Sequence, residues 1–123
     1  AGAFEGLLKT KLSKGFEHKQ TVTLDQSNMS SGERTMTLSL TKGSLYQIHI
    51  TNFRGEQKNV VIELYDSTGK MVATNYDSNS GRYWPIGYAC RITGDYQVKI
   101  RFQDNPQNCG AFILGERSCS FCE

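Results

Sequence analysis

At 123 residues, with 14 Lys and Arg against 12 Asp and Glu and a formal charge of +2, the chain has room for one domain and no second. Its basic residues are scattered singly, which argues against nucleic acid as a partner, and no stretch approaches the ~18 to 20 apolar residues of a membrane-spanning helix. A hydrophobic share of 37%, with 12 Gly and only 2 Pro, is the composition of a folded domain with many turns.

Along the first twenty residues Phe4, Leu7, Leu8 and Leu12 recur at helical spacing, with Lys9, Lys11 and Lys14 among them. Residues 1–20 are expected to form a short amphipathic helix or arm. It either covers one end of the domain or offers those four apolar side chains to a partner or a membrane surface.

From residue 21 the period changes to two, the mark of strands with one buried face. Val22 and Leu24 open the pattern, and Met36, Leu38 and Leu40 continue it between threonines and serines. After the turn Thr41-Lys42-Gly43-Ser44 it resumes at Tyr46, Ile48 and Ile50, so these two runs read as a hairpin. Val60, Ile62 and Leu64 form the next strand, which turns at Asp66-Ser67-Thr68-Gly69-Lys70 and returns through Met71 to Tyr76. A polar loop, residues 77–82, leads to the stretch Tyr83 to Cys90, where Pro85 predicts an edge or an irregular strand because it cannot donate to a ladder. In Tyr96, Val98, Ile100 and Phe102, alternating with Gln97, Lys99 and Arg101, the buried and wet faces are clearest. Cys109 to Leu114 makes a last strand before the tail.

About seven or eight short strands at such intervals predict an all-β, antiparallel sandwich or barrel. The expected division is an arm at 1–20, the sandwich at 21–115 and a cysteine-bearing tail at 116–123.

Catalytic chemistry finds little support. His18 and His49 are the only imidazoles; the first lies in a polar linker and the second on the polar side of its strand, so both are expected to be exposed and idle. Glycine-rich phosphate loops are absent. Four cysteines, Cys90, Cys109, Cys119 and Cys122, in a small β-rich chain that begins at Ala1 suggest a processed protein of an oxidising compartment: secreted, at the cell surface or periplasmic. Structural disulfides are the expected state of all four, with three connectivities open. Cys119-x-x-Cys122 also has the form of a redox or zinc half-site. Tyr65, Tyr76, Tyr83 and Trp84 fall at strand ends or opposite the alternating core, and flat surface aromatics suit sugar rings or extended peptide. Asn28-Met29-Ser30 matches a glycosylation sequon, which has meaning only in a eukaryotic secretory host.

The stretch 43–115 resembles the bacterial pre-peptidase C-terminal domain family, related to the collagen-binding modules of clostridial collagenases. The likeness rests on Leu45-Tyr46-Gln47-Ile48-His49-Ile50, then Ile62-Glu63-Leu64-Tyr65-Asp66 before the Gly69 turn, then Thr93-Gly94-Asp95-Tyr96 opening a strand. Cys90 and Cys109-Gly110 look like a cysteine pair of small secreted members of the group. The resemblance implies a jelly-roll sandwich without catalysis of its own, bridges Cys90–Cys109 and Cys119–Cys122, and an accessory role outside the cytoplasm. Through its collagen-binding relatives it also brings in calcium, for which Asp66, Asp77 and Asp95 are candidate oxygen ligands, although turn carboxylates in water explain these residues without a metal. The expected function is a non-catalytic extracytoplasmic module that binds a protein within a surface or secretion-associated assembly. A carbohydrate- or collagen-binding module and a thiol-disulfide enzyme are the alternatives, and no resident cofactor is expected.

Overall fold

The computed structural model describes residues 11–25, 32–52, 54–103 and 110–119, and among them the chain forms ten strands and no helix. In chain order they are β1 (Glu17–Leu24), β2 (Glu33–Leu40), β3 (Ser44–Thr51), β4 (Val60–Tyr65), β5 (Met71–Thr74), β6 (Tyr76–Asp77), β7 (Arg82–Tyr83), β8 (Ile86–Ala89), β9 (Gly94–Phe102) and β10 (Gly110–Ser118). One four-stranded sheet has the order β1-β10-β3-β8, a second has β2-β9-β4-β5, and β6 and β7 make a small separate hairpin.

Every pairing is antiparallel. The winding follows a simple rule. Among the eight sandwich strands the first pairs with the last, β2 with β9, β3 with β8 and β4 with β5, in alternate sheets. The chain is one long hairpin with its tip at Asp66–Lys70, rolled so that successive rungs fall in opposite layers. β2, β4 and β9 each turn their alternating apolar residues to one side, β10 is buried on both faces, and two sheets facing each other are the arrangement that buries the facing stripes together.

All the residues fixed by alternation reach the core. Leu38, Leu40, Tyr46, Ile48, Ile50, Val60, Ile62, Leu64, Tyr96, Val98, Ile100 and Phe102 are buried, Met36 packs half-buried against them, and Leu24, Ile86 and Phe112 complete the layer.

Three expectations change. β2 and β3 do not form a hairpin: the turn at Gly43, whose φ is 87°, carries the chain from the second sheet to the first. Four residue steps span up to ~13 Å, enough for the ~10 Å between layers, and alternation specifies which face is buried without specifying the neighbour. The sandwich is also wider than 21–115, since β1 begins at Glu17 and β10 continues to Ser118, with Glu17 opposite Glu116. Finally, Leu12 stands in a bend and not in a helix. Phe4, Leu7, Leu8 and the sequon at Asn28 lie outside the described residues.

The outer faces of the two sheets differ. That of the first is covered: Leu12 lies over Gly115, so close that a Cβ there would come within 2.6 Å of Leu12 Cδ2, and Ala111 and Ile113 are fully buried on it. That of the second presents Asp95, Gln97, Lys99 and Arg101 from β9, all exposed or half-exposed.

Candidate functional site

Tyr76, Tyr83 and Trp84 come together; Tyr65 does not join them. In the β6–β7 hairpin Tyr76 is the direct partner of Tyr83, and their rings stack with centroids 4.7 Å apart and planes 35° from parallel. Tyr83 donates its hydroxyl to Gln103 Oε1, and Trp84 follows with 48% of its surface exposed. Asn75, only 3% exposed, fixes the root of this hairpin. Its Oδ1 accepts from Ile62 N at 2.7 Å, its Nδ2 donates to Val60 O at 3.0 Å, and its carbonyl accepts from Trp84 N at 2.9 Å. The amide thus stands in for backbone where the β4–β5 ladder ends, satisfying groups that would otherwise be buried without partners.

Tyr65 lies at the other end of β4, roughly four strand positions or ~13 Å away. Its hydroxyl donates to Glu63 Oε1 at 2.9 Å, which holds its pKa above the ordinary phenol value, and Lys99 Nζ sits 5.0 Å from its ring centroid. Here the Asp66–Lys70 turn and the start of β9 enclose a groove in two parts. A cavity of about 410 Å³ opens on the outer face of the second sheet, bordered by Tyr65, Asp66, Ser67, Asp95, Gln97 and Lys99. A smaller one of about 220 Å³ shares Asp66, Ser67 and Asp95 and extends over Tyr88, Arg91, Ile92 and Tyr96.

Both walls are closed by internal hydrogen bonds. Asp66 Oδ1 accepts from Thr68 Oγ1 at 2.6 Å, Thr68 N at 2.9 Å and Lys70 N at 3.1 Å; the threonine hydroxyl first, then those amides, lower the carboxyl pKa. Opposite, the Ile92 carbonyl accepts from Tyr96 Oη at 2.7 Å and from Cys90 Sγ at 3.3 Å. Burial, then the contacts with Tyr88 and Cys90, push the Tyr96 phenol far above its ordinary pKa, so it stays a donor.

The structure corrects the cysteine expectation. Cys90 is a free thiol with no exposed surface, because the end of β8 turns its side chain between the sheets toward Tyr96. Cys119 is disulfide-bonded, while Cys109 and Cys122 lie outside the described residues. The bridge expected between Cys90 and Cys109 is therefore absent.

His49 is also not exposed: 5% of its surface is accessible on the covered face. Gln57 Nε2 donates to its Nδ1 at 2.8 Å and Nε2 faces Gln47 Oε1 at 3.3 Å, a pattern that requires the neutral ring with the proton on Nε2. Gln47 in turn accepts from Ser13 N and donates to Ser13 Oγ, tying the N-terminal segment down. Burial first, and the charge of Lys11 second, lower the pKa of His49. His18 is exposed as expected but lies in the edge strand β1 and not in a linker, with Nε2 2.6 Å from Thr21 Oγ1.

Among the described residues no three acidic, histidine or cysteine side chains converge on a metal position. Asp66, Asp77 and Asp95 are separately engaged, with their own turns or with Ser39. Of the apolar arm, Leu12 is spent on Gly115 within its own chain. Sequence reasoning passed over Asn75 and the groove walls Arg91, Ile92, Gln97 and Lys99. An asparagine interrupting the run Met71–Tyr76 was the one local signal, since this residue type is poor in strands. The chain matches no protein-family model and no curated protein.

Proposed function

We propose that this chain is a non-catalytic binding module, working outside the cytoplasm, that docks a protein partner through Tyr76, Tyr83 and Trp84. The observation that carries the reading is the stacked tyrosine pair beside a half-exposed tryptophan on a hairpin anchored by buried Asn75. Large aromatics dominate binding energy at protein interfaces, and a platform already held in place loses little freedom on docking.

The disulfide at Cys119 suits an oxidising compartment. The absence of catalysis draws support from the histidines: one is locked neutral in an amide network and the other is paired with a threonine on an exposed edge. The resemblance to pre-peptidase C-terminal domains points the same way.

Capture from a native envelope extract, with the wild type and Trp84→Ala side by side, tests the reading. A specific partner should be retained by the wild type and weakened about 30-fold or more by the substitution, as expected of an aromatic anchor worth ~2 kcal/mol or more. Recovery of the chain alone, or equal retention by both proteins, refutes it.

A further inference from the structure

We propose that the groove on the open face of the second sheet is a separate binding site for a neutral oligosaccharide. The proposal is independent of the hairpin platform, which lies at the opposite end of β4.

The first argument is shape. The larger cavity falls within the ~300 to 1,000 Å³ of ordinary ligand pockets. From Asp95 to Lys99 its β9 wall runs ~13 Å, which is longer than one monosaccharide. It is open along the sheet, so a chain molecule can continue past Gln97, whose Nε2 bonds Thr37 Oγ1 at 3.0 Å, toward the hydroxyl-bearing strand β2.

The second argument is charge. The two cavities, which share Asp66, Ser67 and Asp95 in their linings, carry two carboxylates, Asp66 and Asp95, and two cations, Arg91 and Lys99. An anionic ligand meets the first pair and a cationic one the second. A neutral polyol suits both, because each hydroxyl donates to a carboxylate and accepts from an ammonium or guanidinium. The half-exposed Tyr65 ring, which Lys99 Nζ approaches from one side, borders the larger cavity as an apolar wall against which C–H groups of a sugar can pack.

The third argument is preorganisation. The Asp66 turn is closed by its own hydrogen bonds, with Gly69 at φ 87°, and the facing segment is pinned at the Ile92 carbonyl. A ligand would not have to order either wall.

The test is titration calorimetry of the full chain against neutral hexasaccharides of glucose, xylose and mannose, with oligogalacturonate, heparin fragments and a Gly-Pro-Pro repeat peptide as contrasts. At least one neutral hexasaccharide should bind with a Kd of about 10 μM to 1 mM. The affinity should be unchanged between about 0.05 and 0.5 M salt. Tyr65→Ala should weaken it about tenfold or more, while Tyr65→Phe, which keeps the ring, stays within about threefold. Ser67→Trp, at an exposed turn position on the shared rim, should block it with the fold intact by circular dichroism, and Trp84→Ala should leave it unchanged. Silence of all the neutral sugars, preference for a charged glycan or the peptide, or binding that survives Ser67→Trp overturns the proposal.

Discussion

Replacing Asn75 with alanine isolates the role of one buried amide. The substitution deletes the acceptor for Ile62 N and the donor to Val60 O, bonds of 2.7 and 3.0 Å in a site almost closed to water, and leaves the backbone bond to Trp84 N in place. Each orphaned buried group costs ~1 to 3 kcal/mol, and a water entering the vacated space recovers part, so the expected loss is about 2 to 4 kcal/mol. For a domain of this size that lowers Tm by about 8 °C or more.

Asn75→Asp sharpens the argument. It keeps the acceptor but turns a carboxylate oxygen toward the Val60 carbonyl, and burial raises the folded pKa of that carboxyl above its unfolded value. Stability of this variant is therefore full below about pH 3.9 and is lost as pH rises through the folded pKa. Denaturant melts across pH decide it. A cost below about 0.5 kcal/mol for the alanine variant, or an aspartate variant as stable as wild type at pH 7, would show that the amide is not the keystone of the β4–hairpin junction.

Ile100→Ala, at a fully buried β9 position, should cost about 2 to 5 kcal/mol in denaturant, and an unchanged midpoint would contradict its register. Because the folded pKa of His49 lies below the ordinary ~6.5, the unfolded chain takes up its proton first. Stability should fall as pH drops through that value, and His49→Gln should flatten the slope; equal slopes would place the acid sensitivity elsewhere. Cys90 should resist a thiol reagent in native protein and label once denaturant is added, and stoichiometric labelling of Cys90 in native protein would contradict its burial.

Local alternation was enough to assign the core-facing residues of β2, β3, β4 and β9, since a period of two leaves each strand one choice of buried face, but it did not find Val61, Ala111 or Ile113, which are buried on the opposite faces. It was silent on what covers an outward face. His49 points outward as its strand pattern requires, yet lies beneath Gln57 and the segment held by Ser13, neither of which belongs to its own strand. Cys90 failed for a related reason: its fate depends on Tyr96, which is brought to it across the sandwich by the rolled hairpin. The four aromatics looked equivalent because each stands at a strand end, and only the β4–β5 register shows that Tyr65 and Tyr83 belong to opposite ends. The groove had no local signature at all. Its walls, near residues 65–69 and 91–99, meet through the pairing of β4 with β9.

The order in which the strands leave the ribosome does not match the order in which they become useful. β9 lies between β2 and β4, and β10 between β1 and β3, so the last two described strands each fill an inner place in a sheet. A nascent chain ending before residue 94 can pair β3 with β8 and β4 with β5, while β1 and β2 have no partner from their own sheets. Such contacts span most of the sequence and carry the closure cost of long loops, which places folding late and makes it abrupt. Until β9 and β10 are complete, β1 and β2 lack their ladder partners, and unpaired strands of this kind invite aggregation.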